Sequence, residues 1–228
     1  MNKTKIDWCT HTINPVVGCT YNCPYCYARN LNNRFQWIED WGKPQFFPER
    51  LLKLNAKKPR IVFMNSMSDV ADWKDEWKDA VFKAIVENPQ HIYLFLTKRL
   101  KDAYRDMKYP ANVWLGNTIT RQMDFIKEIG QPHSAKRFYS IEPILEPIRL
   151  PLNNISKKNI QWVIVGAETG NRKNKIIPKK EWITSIATQC KDLQIPIFMK
   201  ESLRALMGED FIQEFPTQFT FKLPSSKE

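Results

Sequence analysis

Three cysteines carry the clearest chemistry in this chain of 228 residues: Cys19, Cys23 and Cys26, in the run Cys-Thr-Tyr-Asn-Cys-Pro-Tyr-Cys. The spacing C-x3-C-x2-C puts three thiols on one loop, and iron–sulfur clusters are held by thiolates supplied in such close runs. Three thiolates on a 4Fe–4S cluster leave one iron without a protein ligand, the open position that a catalytic cluster needs and an electron carrier does not. Zinc is the alternative. A structural zinc takes four closed ligands, usually from paired cysteines, and Cys9 or His11 would have to supply the fourth. The odd spacing and the lack of a second C-x2-C pair weigh against it. Five cysteines in all, three of them within eight residues, do not make a disulfide framework. Cys9 lies near the triplet but outside it. Cys190 falls on the apolar face of a helix and reads as core.

The elements that must position these thiols can be read from hydrophobic pattern. Apolar runs predict strands at about 60–65, 91–96, 112–117, 137–141, 161–166 and 195–199, with a further short strand near Ile13 to Val17 leading into the first cysteine. Their nearly continuous apolar character suits parallel strands covered on both faces. Between them, Trp73, Trp77, Val81 and Ile85 recur at four-residue steps, one stripe of a helix. Trp182, Ile183, Ile186, Ala187, Cys190 and Leu193 form a second stripe, and Phe125, Ile126 and Ile129 a shorter third. Strand and helix alternate about seven times, which predicts a parallel α/β fold, either an open doubly wound sheet or an incomplete barrel. A single domain over 1–222 is expected, with 223–228 a frayed tail.

Each strand runs into polar residues at its end. After the second come Asn65, Ser66, Ser68 and Asp69, after the third Thr97, Lys98 and Arg99, after the fourth Asn117, Thr118 and Thr120. Glu142 comes after the fifth, Glu168 and Thr169 after the sixth, Lys200 and Glu201 after the seventh. Parallel strands bring such positions to one rim, where these folds build active sites. Loops are polar in any case, so single residues carry little weight. Asp69 and its serines equally suit a helix N-cap. Glu142 and Glu168 equally suit ion pairs with Lys98, Arg99 or Lys200.

Composition narrows the partners. An excess of 35 Lys+Arg over 24 Asp+Glu gives a net charge of +11, which favours anionic ligands or, more blandly, a solvated basic surface. The cations are scattered, with only short pairs such as Lys57-Lys58 and Lys157-Lys158. His133 reads as surface. Most of the eight tryptophans follow helix and strand periodicity and belong to the core, while a few at the mouth could stack on bases. No apolar run reaches the length of a membrane span, and the N-terminal residues lack a secretory signal's apolar stretch. A cytoplasmic location is the expectation.

The cysteine run resembles the signature of the radical S-adenosylmethionine superfamily, C-x3-C-x-aromatic-C, with Tyr25 as the aromatic residue. The stretches IDWCTHTINPVVGC, CPYCYARNLNNRF, FMNSMSDV, FLTKR, SIEPIL, WVIVGAETG and IFMKE together resemble a bacterial and phage-borne, radical-SAM-like family with a three-Cys motif and no known function. The resemblance implies a partial (β/α) barrel of about six to seven parallel strands, with the cluster at the C-terminal rim. It also implies reductive cleavage of S-adenosylmethionine to a 5′-deoxyadenosyl radical that takes hydrogen from a substrate, the electron coming from an external reductant of flavodoxin or ferredoxin type. Asn65, Ser66, Ser68 and Asp69 would hold the methionyl amino group, Gly166 would lie along the adenosyl part, and Tyr25 and Thr118 would join the cofactor site. Thr120 stands where the family pattern expects an acidic residue. Glu142, Glu168 and Lys200 are the catalytic candidates, and a nucleotide or nucleic acid is the favoured substrate. The rivals are a zinc-stabilised nucleic-acid-binding module without catalysis and an electron-transfer protein.

Overall fold

The computed structural model describes residues 1–104, 108–128, 135–151 and 160–219. Ile129, His133, the Lys157-Lys158 pair and the tail at 223–228 lie outside the described residues. Two compact units divide the chain: Met1–Leu96, Pro110–Trp114 and Thr217–Glu228 form the first, Thr97–Tyr109 and Leu115–Pro216 the second.

The first unit opens with three two-residue strands, β1 (Asn2–Lys3), β2 (His11–Thr12) and β3 (Val16–Val17), followed by helix α1 (Tyr27–Phe35) and strand β4 (Gln45–Phe46). Then come β5 (Ile61–Phe63), α2 (Asp75–Glu87) and β6 (Ile92–Thr97), the last of which gives only Thr97 to the second unit. Their order is β1-β2-β5-β6, with β1 antiparallel to β2 and the other pairs parallel. The strand expected near Ile13 to Val17 is thus split. His11–Thr12, two residues earlier, pairs with β5, while Val16–Val17 forms a separate antiparallel ribbon with β4. Asn14, at a positive φ of 51°, turns the chain between them.

Helix α2 begins after Trp73, so that tryptophan is not the first member of its stripe. Asp75 and Glu76 sit in the first turn, where the helix dipole favours acids. Trp73 is buried ahead of the helix, edge-on to Phe95 at 6.0 Å.

The second unit carries the short helix α3 (Leu100–Ala103), β7 (Val113–Ile119, from Leu115 onward), β8 (Lys136–Ile141), β9 (Ile160–Val165), α4 (Lys180–Leu193), β10 (Ile197–Met199) and α5 (Arg204–Met207). The order is β7-β8-β9-β10, with β8, β9 and β10 parallel. Strand interiors such as IQWVIV are almost wholly buried. Helix α4 lays Ile183, Ile186 and Cys190 on Val163, Val165, Ile197 and Met199, each buried isoleucine contributing about 2 kcal/mol. The helix stops at Gln194, in the left-handed region, two residues before Pro196. Burial pushes the Cys190 thiol up to about 12, as befits a core residue. Phe125 belongs to a 3-10 turn, Gln122–Glu128, rather than to a third α-helix.

The fold class is mixed α/β, mostly parallel strands alternating with helices, as the pattern predicts. No helix of the described residues is long and apolar enough to cross a membrane.

Candidate functional site

The cysteine loop hangs on a glycine. Gly18 has φ of +110°, and a Cβ there would meet Pro44 Cα at 2.8 Å and the Trp41 carbonyl at 3.0 Å, so the position admits only glycine. Its N–H donates to Met67 O, and that of Cys19 to Trp41 O, both at 2.9 Å. One residue on, the Thr20 N–H and hydroxyl both donate to Asp72, at 2.8 and 2.6 Å. The Arg29 guanidinium reaches back to the Cys23 carbonyl at 3.0 Å and to the Asn22 side chain. The Tyr27 hydroxyl donates to Ser66 O at 2.7 Å. Irregular chain is held here by two backbone bonds at its entry and then by side chains, rather than by a ladder of strands.

None of the three cysteines is in a disulfide; Cys23 is buried and Cys19 and Cys26 are half-buried. Cys26 is the N-cap of α1, its Sγ accepting the Arg29 N–H at 3.4 Å, a role usually filled by a Ser or Asp oxygen. The Cys19 Sγ accepts the Tyr21 N–H at 3.4 Å. Burial pushes the Cys19 thiol up to about 12, with Asp69 and Asp72 adding to the effect. A bound metal would have to displace that proton.

Among the described residues, no three His, Cys, Asp or Glu side chains gather as the ligands of one metal ion would. The chemistry of the donor set is that of a cluster site: three thiols on one loop, two of whose sulfurs already receive backbone N–H groups, the hydrogen bonding that tunes iron–sulfur centres. The Trp41 indole, packed on the small apolar cluster that Cys26 also joins, has an N–H that is buried without an acceptor among the described residues. The residues present therefore fit a 4Fe–4S cluster. The thiol of Cys9 faces Ile6 O at 3.9 Å, and His11 Nδ1 lies 2.9 Å from the Thr10 hydroxyl.

Of the group after the second strand, Asn65 is committed to backbone. Its amide donates to Leu96 O at 2.6 Å and Ser68 O at 3.2 Å, and its oxygen accepts the Leu96 N–H at 3.0 Å, extending the β5–β6 ladder. The Ser66 hydroxyl donates to Asn14 Oδ1 at 2.9 Å, and Ser68 Oγ accepts the Trp73 indole N–H at 3.0 Å. Asp69 caps a 3-10 turn, Val70–Asp72, accepting the Ala71 N–H at 3.0 Å. The capping alternative for Asp69 is therefore realised, on a shorter element than α2. Tyr25 lies in the cysteine loop and is half-buried.

In the second unit three adjacent strand ends converge. Lys200, just after β10, pairs with Glu142, just after β8. Gly166, just after β9, lies beneath them, where a Cβ would meet Lys200 Cδ at 2.9 Å and Glu142 Cγ at 3.3 Å. The close approach that Gly166 permits is to this ion pair. Glu168 forms a bidentate pair with Arg172, at 2.6 and 2.7 Å, rather than with Lys98, Arg99 or Lys200. The Arg172 guanidinium holds the Glu168 carboxyl below its ordinary range. Thr118 lies inside β7, not after it, because that strand runs on to Ile119. Asp124 accepts the Thr120 N–H and hydroxyl at 2.8 and 3.0 Å, along with the Arg121 N–H.

Sequence reasoning passed over Asp72, Tyr27, Arg29 and Arg172. Asp72 had a signal, since an acid three residues after Asp69 can bind a second loop while Asp69 caps the turn.

A mostly parallel α/β fold with a clamped loop of three cysteines outside any disulfide defines a protein with a candidate metal-cluster site. The chain belongs to the family described as "Protein of unknown function (DUF5131)", whose model matches residues 3–206. It is also similar to "Uncharacterized protein MJ0683" of Methanocaldococcus jannaschii, 35% identical over 71 residues. That match covers 30% of this chain and 27% of the relative, so it spans about a quarter of the relative's length. No solved structure matches the chain.

Proposed function

We propose that the protein is a radical S-adenosylmethionine enzyme with a partial (β/α) barrel, its cluster held by Cys19, Cys23 and Cys26. The observation that carries this reading is the cysteine triplet itself, at C-x3-C-x2-C spacing on one loop and outside any disulfide, with the last thiol capping α1. When bound, a 4Fe–4S cluster with one open iron supplies the electron that cleaves S-adenosylmethionine to methionine and a 5′-deoxyadenosyl radical.

The chain's own part is placement. Gly18 and the Thr20–Asp72 clamp fix where the first cysteine lies, and Arg29 fixes the carbonyl of the second. Cys26, at the head of α1, receives the Arg29 N–H on its sulfur, which fixes where the third thiol lies. The polar group after β5, Asn65, Ser66, Ser68 and Asp69, is the one that would take an ammonium such as that of the methionyl moiety. In the second unit, Lys200 and Glu142 present a paired cation and carboxylate over Gly166, suited to holding or relaying a proton on a polar substrate. An external one-electron reductant of flavodoxin or ferredoxin type completes the reaction.

The test is anaerobic reconstitution with iron and sulfide, then reduction with S-adenosylmethionine present, with 5′-deoxyadenosine read by mass spectrometry. Deoxyadenosine from the native protein and none from Cys23→Ala supports the reading. A colourless protein with one tightly held zinc would overturn it and favour a zinc-stabilised nucleic-acid-binding module.

A further inference from the structure

Helix α1 turns the usual amphipathic rule around. Its buried residues are small or polar, Ala28 and Asn32, and its large side chains face solvent. Nine large apolar side chains are exposed among the described residues, and five of them lie between Tyr21 and Trp37. Tyr27, Leu31 and Phe35 recur at four-residue steps, which stacks them along one face with a rise of about 6 Å per step. Tyr27 and Phe35 are each about half exposed, at 51% and 52%. Trp37, just past the helix, stacks on Phe35 with ring centroids 5.3 Å apart and planes within 25°. The Arg34 guanidinium lies over the Phe35 ring at 5.1 Å. Helix α1 contains two arginines, three asparagines and no acidic residue.

We propose that this face of α1 binds single-stranded nucleic acid. Flat aromatic faces spaced along a groove or ridge, interleaved with arginine, are what unpaired bases stack upon, while the cations take the phosphates. A duplex keeps its base faces stacked inside and could not use Phe35 or Trp37 in this way. The net charge of +11 attracts a polyanion and repels a second copy of the same chain. An exposed apolar stripe of this kind otherwise costs solubility, so a ligand that covers it accounts for its presence. The face begins at Tyr27, one residue after Cys26. If the radical chemistry proposed above holds, the strand is also the substrate, carrying the base or sugar to be modified, and that part rests on the radical reading; strand binding itself stands without it.

The experiment is fluorescence anisotropy of a labelled twelve-nucleotide oligothymidylate titrated with reconstituted protein, with a duplex of equal length alongside. The native protein should bind the single strand more tightly than the duplex and quench its own tryptophan fluorescence. Phe35→Ala and Trp37→Ala should each weaken binding about tenfold or more. Arg34→Gln should reduce the slope of log affinity against log salt by about 0.7, and Arg34→Lys should restore it. Leu52→Ala, at another exposed apolar position, is the control and should change nothing. Equal binding by native and Trp37→Ala protein, preference for the duplex, or a dimer that Trp37→Ala dissolves while no oligonucleotide binds would each overturn the proposal. Deoxyadenosine formation without oligonucleotide binding would sink this inference alone. Strand binding that depends on Trp37 in a protein without deoxyadenosine formation would uphold it and sink the radical reading.

Discussion

The two units place their chemistry by different means. In the first, the cysteine loop is irregular chain tied down by a left-handed glycine and by side chains bonded to backbone: Thr20 to Asp72, Arg29 to the Cys23 carbonyl, Tyr27 to the Ser66 carbonyl. In the second, Glu142, Gly166 and Lys200 are simply the next residues after three parallel strands whose interiors are buried among isoleucines and valines. Clamped loops depend on single residues that have no substitute. Strand ends are held by a whole ladder and a large core, so they should tolerate change better.

The two glycines give the largest contrast. Gly18→Ala forces a side chain into a positive-φ site against backbone atoms, and should cost about 3 kcal/mol or more in denaturant unfolding while iron content after reconstitution falls to a small fraction. Gly166→Ala meets a lysine methylene that can move; about 1 kcal/mol and full iron content are expected. Equal costs at the two positions would break the comparison.

Next is Asp72→Ala, which leaves the Thr20 hydroxyl and N–H without their acceptor. A loss of about 1–2 kcal/mol and faster release of iron to a chelator are expected. Combined with Thr20→Val, the loss should fall short of the sum, the mark of a shared interaction.

Acid should weaken the first unit before the second. Burial and then Arg60 lower the His11 pKa from 6.5 to about 4. A lowered histidine is neutral when folded, so below 6.5 the unfolded chain binds the extra proton, and stability falls as pH drops from 6.5 toward 4. His11→Asn should flatten that slope, read by thermal melts across the window. The smallest effect belongs to Glu168→Gln. Its carboxyl is held below the ordinary 4.5 by Arg172, so its contribution persists above 4.5 and is lost only as pH falls through the lowered value. Hydrogen exchange at pH 5 should therefore show β2 and its neighbours opening more readily than β9.

The same contrast explains what could be read from residues alone. The apolar runs of β6, β8, β9 and β10 were legible within a residue or two, because a buried parallel strand shows itself as an unbroken hydrophobic stretch. Glu142 and Lys200 followed from those ends. The two-residue strands did not, since Asn14 and Pro15 break the run from Ile13 to Val17 and pairing with β4 depends on distant chain. Thr118 falls inside β7 rather than beyond its end, because the strand continues through the polar Asn117 and Thr118. The Cys19, Cys23 and Cys26 spacing was plain, but its clamps were not: Thr20 and Asp72 are far apart in sequence, and nothing in either neighbourhood marks the bond. The bonds from the Asn65 side chain to the Leu96 backbone were equally hidden, since the two residues are far apart in sequence.

The central claim is that three cysteines hold a cluster with one open iron. Electron paramagnetic resonance of the reduced, reconstituted protein, before and after addition of S-adenosylmethionine, tests it most directly. A 4Fe–4S signal that shifts on addition, and is absent from Cys19→Ala and Cys26→Ala proteins, is the expected result. A signal indifferent to S-adenosylmethionine, or one that survives loss of either cysteine, would contradict the account.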